Sequence, residues 1–421
     1  MITRRAHLSD SFVHLERVSR RAASLMTSSA SAIDPHSGVT LTTEILTTSR
    51  QLHALGSDWN ALHRVSSSTN PFNHWLWVLH WWQWYGRSST WVHDRLHIHV
   101  QRDQFGTIRA ILPFVITTRG VGLAAVRKLR LFGSVPAVAL TELPQVLIWP
   151  GFEAACTCAL IATLRRHEAE YDWGEVDGLL LDGPLRRSLM ALTASNGWTQ
   201  RPTTPYYTIA LPSTWEALRA TLKRHIKKNI RNSHAALARD NHLWRMETVT
   251  ETADLELAMS EFFRLHAARA TCGRGPSHPD HFASSRTRGF LLTLARDLLA
   301  EQRFMICRLR VGRDIVASRL IFLSGGCFYL YHSGFDPAWW RYSVSTTLTA
   351  ECIKLAIARG AQTVNLSTGR DDSKLRWGPQ EHLIGGLAFS SRAAKSRTLT
   401  ATRDLTKLIE QYVRAFASRQ T

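Results

Sequence analysis

The stretch FMICRLRVGRDIVASRLIFLSGGCFYLYHSGFDPAWWRYSVSTTLTAECIKLAIARGAQTVNLSTGRDDSKLRWGP, residues 304–379, decides how the chain is read. Met305, Cys307, Leu309 and Val311 alternate along a first strand. Gly312-Arg313-Asp314 turns the chain into a second strand, Ile315 to Leu323, and Gly325-Gly326 turns it into a third, Cys327 to His332. Gly334 to Thr347 reads as a loop. A helix then runs to Arg359, with Gly360 as its C′ residue, and Gln362 to Leu366 is one more strand. A single crossover helix returns its strand parallel to the one before it. Two such strands can splay and leave a notch. The helix start, near Ser343 to Thr347, then points its free N–H groups at that notch, an arrangement that suits phosphate. Polar residues crowd the same stretch: His332, Asp336, Arg341, Tyr342, then Ser367 to Asp372 and Lys374.

Working outward, 421 residues predict two domains plus tails, and 44% apolar residues are enough for large cores. The formal charge of +19, from 52 Lys+Arg against 33 Asp+Glu, predicts attraction to anions such as nucleotides, CoA phosphates, RNA or anionic lipid. An Arg-rich soluble surface explains the same number. The six Cys are scattered. Cys156 and Cys158 lack the spacing and partner pair of a zinc site, so no metal is expected and a reducing cytoplasm fits. No apolar run reaches transmembrane length.

Residues 1–39 are Ser- and Arg-rich without a strong period and read as a disordered tail. Val39 to Ile45 is a strand, and Ser57 or Asp58 caps a helix. His74 to Tyr85, rich in Trp, is apolar nearly all round and predicts a buried helix ended by Gly86. Leu96–Val100 and Ile108–Val115 pair as strands. Leu129–Phe132, Gln145–Trp149, a helix from Glu153 to His167 and a strand from Glu175 to Leu181 complete an α/β pattern. Asn196-Gly197 marks a tight turn. After the strand Tyr206–Leu211 comes a basic helix, Thr214 to Asn241, on which Lys223, Lys227 and Arg231 stand four apart. Its stretch 219–239 reads either as a phosphate contact, to RNA or a CoA tail, or as a solvated face. Further helices are expected over Ala253–Ala270 and Arg288–Glu301, with a loop at Gly273–Ser277. An amphipathic helix is expected over Arg403–Phe416.

The motifs Phe-Tyr-Leu-Tyr-His-Ser-Gly-Phe-Asp-Pro (328–337), Arg-Tyr-Ser (341–343), Ala-Arg-Gly (358–360) and Asn-Leu-Ser-Thr-Gly-Arg-Asp-Asp-Ser-Lys-Leu-Arg-Trp (365–377) resemble GNAT-type acetyltransferases of the CelD-like group, bacterial proteins linked to cellulose or exopolysaccharide production. Phe262 to Arg269, the basic helix, Asp58 to Leu62 and Ala110 to Phe114 match further segments of that group, so the resemblance covers roughly residues 40 to 395. It implies an α/β (α+β) fold of tandem GNAT-like domains, 40–212 and 213–395, each a mixed, mainly antiparallel sheet flanked by helices, with 396–421 as a C-terminal helix. A distant likeness to Fem-type peptidyltransferases goes with it.

The resemblance implies an acyl-CoA donor, commonly acetyl-CoA, and an amine, hydroxyl or saccharide-like acceptor. Carried over, Arg341, Ser343, Val344, Ser345, Thr346 and Thr347 hold the pyrophosphate. Val344 stands where relatives often have Gly. Candidate catalytic residues are His332 as base, Asp336, and Tyr342 as the acid that protonates the leaving thiolate. Ser367, Gly369, Arg370, Asp371 and Lys374 lie where an acceptor binds, and His266 and Arg269 share a helix face toward it. Structural roles fit the same residues: an edge histidine, a turn cap at Asp336, an Asp371–Lys374 salt bridge. Two other functions stay open, an aminoacyl-tRNA-dependent transferase of Fem type and a catalytically inactive GNAT-like scaffold.

Overall fold

The computed structural model describes residues 31–33, 40–66, 70–133, 140–193, 198–273, 278–393, 395–396 and 398–399. Most of the expected N-terminal tail, the Asn196-Gly197 turn, most of the Gly273–Ser277 loop and the helix expected over 403–416 lie outside these residues. The described part opens with β1 (Ser31–Ile33), which pairs with β2 (Thr40–Leu46) and so places a strand inside the stretch read as tail. Helices α1 (Ser49–Ala54), α2 (Gly56–Val65) and α3 (Trp75–Tyr85) follow. Neither Ser57 nor Asp58 caps α2, whose N-cap is Leu55 without a side-chain cap; Thr48 caps the preceding α1 in a reciprocal capping box with Gln51. Strands β3 (Val92–Arg102), β4 (Ile108–Arg119), β5 (Val126–Leu131) and β6 (Leu147–Ile148) precede α4 (Glu153–Arg166), β7 (Trp173–Leu180) and α5 (Pro184–Thr193).

The remainder begins with β8 (Thr199–Ala210). The single basic helix expected next is two: α6 (Trp215–Thr221) and α7 (Arg224–Arg239), broken where buried Leu222 and Lys223 are extended. Then come β9 (Trp244–Val249), α8 (Thr252–Ala270), α9 (Ser285–Ala300), β10 (Phe304–Val311), β11 (Asp314–Ser324) and β12 (Cys327–Phe335). Helix α10 (Val344–Ala358), β13 (Thr363–Thr368), the one-turn α11 (Asp372–Leu375) and β14 (Gln380–Ser390) complete the described elements.

All fourteen strands join one sheet, ordered β1-β2-β3-β4-β5-β7-β14-β8-β13-β12-β11-β10-β9, with β6 attached to β4. Among the described residues, only β5–β7 and β12–β13 pair in parallel. Near its middle the two halves trade strands. β14, from the end of the chain, pairs with β7 and β8 (Leu387↔Val176, Ala388↔Thr199), and β8 pairs with β13.

Alternation along the strands sends side chains to two faces. On one face α2, α3, α8 and α9 pack a continuous core that includes Trp59, Trp77, Trp81, Phe262, Phe290, Phe304 and Phe322. The Trp-rich helix is core, as its composition predicts, since Trp77 and Trp81 are 1% exposed. Burying each such side chain contributes on the order of 2–3 kcal/mol. The other face is covered by α4 over the first half and by α7 and α10 over the second. Met305, Cys307, Leu309 and Val311 all point to that second face, as the alternation requires.

Candidate functional site

The parallel pair β12–β13 keeps register only from Cys327↔Thr363 to Tyr329↔Asn365. Beyond it, β12 stays with β11 as far as Phe335↔Ala317, and β13 stays with β8 as far as Thr368↔Tyr206. Each strand follows its outer neighbour, and the two part. A cavity of about 360 Å³ fills the gap at their C-terminal ends, where ligands of open α/β sheets bind. Two non-glycine residues with positive φ stand at its edges. Ser343 (φ 50°) precedes α10, and Ser367 (φ 74°) ends the usable ladder of β13, its N–H held by Asn365 Oδ1 at 2.7 Å. Such backbone is costly and collects at functional sites.

One side of the cavity carries His332, His278, His281 and Arg269. The His332 ring is wedged among Tyr331 (4.2 Å between centroids), His281 (5.0 Å), Phe282 (5.1 Å) and His266 (5.6 Å). Its Nε2 has no hydrogen-bond partner. Burial, then the neighbouring His266, His281 and His278, hold it well below the usual imidazole range, so it is neutral at neutral pH. The other side carries Ser345 and Thr349, one turn apart on α10, with Arg319 from β11 and Arg376. Ser367, Asp371, Lys374 and Trp377 close the end, and Thr141 and Glu142 reach in from the first half. Glu142 accepts from the Tyr329 hydroxyl and from Ser367 Oγ at 2.7 Å. Burial raises its carboxyl above the usual range, against the pull of those two hydroxyls and of Lys374.

Of the residues singled out in the sequence, His332, Arg269, Ser345, Ser367, Asp371 and Lys374 are brought together around this cavity. His266 stands behind it, fully buried, its Nδ1 at 3.1 Å from the Ser333 carbonyl. Asp371 and Lys374 do not form the salt bridge considered above. Asp371 Oδ1 accepts from Ser373 N at 2.6 Å, and Lys374 donates to the carbonyls of Thr368 and Gly369. Asp336 caps the turn that follows β12, accepting from Ala338 N at 2.9 Å, and does not line the cavity. Tyr342 is also turned away: its hydroxyl donates to Asp240 at 2.8 Å and lies 3.1 Å from His242, while Arg341 pairs with Asp240 at 3.2 Å. Thr347 is tied to Ser233 Oγ at 2.6 Å, and Thr346 accepts from Arg376 at 2.9 Å. Val344 is buried in the core, so its side chain does not stand in front of the helix start. Gly369 (φ 85°) makes the turn after β13, and Arg370 is exposed. Lys227, grouped above with Lys223 and Arg231, instead caps α6 by donating to the Ala220 carbonyl at 2.9 Å.

Sequence reasoning missed Glu142, His278, His281, Arg319 and Arg376. For Arg319 a signal existed, a lone cation in the apolar strand Ile315–Leu323. Glu142 had none, because it arrives from a loop of the other half. Among the described residues no group of three or more His, Cys, Asp or Glu is placed to hold a metal ion, and no helix is long and apolar enough to cross a membrane.

The histidine cluster makes a pH prediction. Burial lowers His266 and His278 from 6.5 to about 4, and lowers His281 as well. The unfolded chain therefore takes up these protons first as pH falls. The stability held in the neutral rings is complete above pH 6.5 and is lost as pH drops toward 4. Urea midpoints are expected to be level above that value and to fall steeply below it. A midpoint that stays level down to the acid end of the window would contradict the assignment.

With this geometry in hand, comparison places the chain by class. Residues 224–375 match the family model described as an acetyltransferase (GNAT) domain. No curated protein sequence matches the chain. Among solved structures, the fold is similar to that of FemX, at 8% identity over 82% of this chain and 96% of that one, with a TM-score of 0.53. It is also similar to a conserved protein of unknown function from Bacteroides thetaiotaomicron VPI-5482, at 14% identity over 82% of this chain and all of that one, with a TM-score of 0.51. A tandem GNAT protein from the clavulanic acid biosynthesis pathway matches at 11% identity over 84% of this chain and 99% of that one, with a TM-score of 0.43. The fold is α/β, a mixed and mainly antiparallel sheet flanked by helices.

Proposed function

We propose that this chain transfers an acyl group from an acyl-CoA thioester to an amine or hydroxyl, at the cavity between β12 and β13 within a catalytic unit spanning 213–395. The observation that carries the proposal is the opening of this parallel pair at the first turn of α10, with His332 on the wall of the cavity. The residues fit an acyl-CoA. The helix start offers backbone N–H groups and the Ser345 hydroxyl for phosphate, and the Val344 side chain is out of the way. When bound, the donor supplies an activated carbonyl. His332, neutral, accepts the proton of the attacking amine or hydroxyl. The first half has a similar parallel pair, β5–β7, but α4 begins with the acidic Glu153, and Leu131, Ile161 and Leu179 pack into its core. An acidic first turn disfavours phosphate, which supports one active half.

The sequence resemblance extends the proposal to an acetyl donor and a saccharide-type acceptor, in cytoplasmic steps of exopolysaccharide or cellulose production. Acetyl-CoA is expected to raise the melting temperature of the full chain, and Ser345→Asp, which puts a negative charge at the helix start, to abolish the shift. If no acyl-CoA shifts the wild type, the proposal fails. A Fem-type aminoacyl-tRNA donor is the second reading. It is favoured by the likeness to FemX and by the exposed Arg224, Lys228 and Arg231 on α7. A tRNA gel shift at low salt that disappears when these three are neutralised would select it.

A further inference from the structure

The cavity holds more positive charge than the protein neutralises. Arg269 on α8, Arg319 on β11, and Lys374 and Arg376 around α11 line it. Among the described residues none of the four forms an ion pair. Their partners are neutral. Arg269 donates to the Ser333 hydroxyl at 2.9 Å and carbonyl at 3.3 Å, Arg319 to the Thr349 hydroxyl at 3.4 Å, and Lys374 to the Gly369 carbonyl at 3.2 Å. Arg376 is committed to Thr346 and to the Ser373 carbonyl. The Nε of Arg319 is shut off from solvent and has no partner at all. Two carboxylates reach the cavity, but Glu142 is taken by Tyr329 and Ser367, and Asp371 by its own turn.

Elsewhere the chain neutralises sheltered arginines. Arg130 and Arg87 share Asp94, and Arg308 lies between Glu247 and Glu261. Sheltered cations without counter-ions are costly unless a ligand supplies the charge. Burial lowers Arg269 to about 10 and lowers Arg319 and Lys374 too. Neighbouring cations of the cluster depress Arg269 and Lys374 further, and the more distant Asp371 only partly opposes the shift in all three.

We propose that Arg269, Arg319 and Lys374 bind a carboxylate or phosphate group carried by the acceptor, which makes the acceptor a small acid whose nucleophile lies beside His332. This rests on the acyl-transfer reading above. The position of His332 separates acceptor from donor. The diphosphate of an acyl-CoA is parted from its thioester by the whole pantetheine arm. Arg269, bonded to Ser333, stands next to His332, whereas the phosphate site proposed for the donor is at Ser345 on α10. A compact acid fits, presenting its amine or hydroxyl to His332 and its acid group to the guanidinium groups in the paired geometry they favour.

The test uses the full chain and two small probes, inorganic phosphate and acetate, titrated at constant ionic strength with chloride as the balancing anion. Saturable binding is expected by calorimetry for the wild type, weakened about tenfold or more in Arg319→Met and, as an independent variant, in Arg269→Gln. Acetyl-CoA affinity is expected to be unchanged in both. Variants that bind the probes as the wild type does would overturn the proposal. So would variants in which acetyl-CoA affinity falls with probe affinity, since the cations would then serve the donor. Probe binding that is lost in the variants, in a wild type that binds no acyl-CoA, keeps the anion site but removes the acyl-transfer reading and the acceptor assignment with it.

Discussion

His332→Asn is expected to bind the acyl donor as the wild type does and to turn over more slowly by a factor of about 10²–10⁴, the usual contribution of a positioned base. The wild-type ring is fixed by contacts on several sides, and its Nε2 is buried without a hydrogen-bond partner. A base must be unprotonated to act. Burial, followed by the like-charged neighbours His266, His281, His278 and Arg269, keeps the ring in that form. Wild-type kcat/KM should therefore hold its plateau well below pH 6.5, where an ordinary histidine base would already be lost. Asparagine keeps a polar group in the space but accepts no proton at this strength. The diagnostic is the split: kcat falls and the affinity for acetyl-CoA does not. A variant within about threefold of wild type in kcat would remove His332 from the proton path.

Gly334→Ala is expected to cost about 3 kcal/mol of folding stability, at the upper end for overpacking a tight contact. A Cβ built on Gly334 would sit 2.4 Å from the backbone nitrogen of His266 and 2.5 Å from the carbonyl carbon of Leu265. These are main-chain atoms of α8, so no side chain can swing aside; the helix itself must move off β12. Arg269 and His266 ride on that helix and both touch Ser333, the residue before the glycine. The variant should thus lose stability and disturb the cavity together. Urea denaturation measures the first effect, and the anion titration measures the second. A midpoint equal to wild type would mean that α8 and β12 are not in this contact.

The unit from β10 to β13 was legible because its signals are local. Paired glycines turn one strand into the next, apolar residues alternate, and Gly360 ends the helix. The positions of His332, Ser345, Asp371 and Lys374 followed from that order of elements. What stayed hidden depends on distant partners or on rotation within a turn. Arg341 and Tyr342 sit beside the helix start in sequence, yet the turn Pro337–Tyr342 swings both toward Asp240, a hundred residues earlier. The break between α6 and α7 carries no Pro or Gly; it arises because Leu222 packs into the core. Strand β14 carries Gly385-Gly386 in its middle, which weakens its strand signal, and β7 and β8 on either side hold it in the sheet.

That position of β14 sets a timetable for synthesis. The chain leaves the ribosome from its N-terminus, so β7 is made long before the strand that will lie against it. At about 5–20 residues per second, the roughly 200 residues between them take on the order of 10–40 s. Through that interval β8 has neither of its final neighbours, since both β13 and β14 are still to come. Three strand edges in the middle of the finished sheet, one of β7 and both of β8, are thus open during translation, the condition under which chains pair wrongly with one another. A protein joined in this way closes its seam last, and nascent-chain chaperones have most to protect between the emergence of β7 and that of β14.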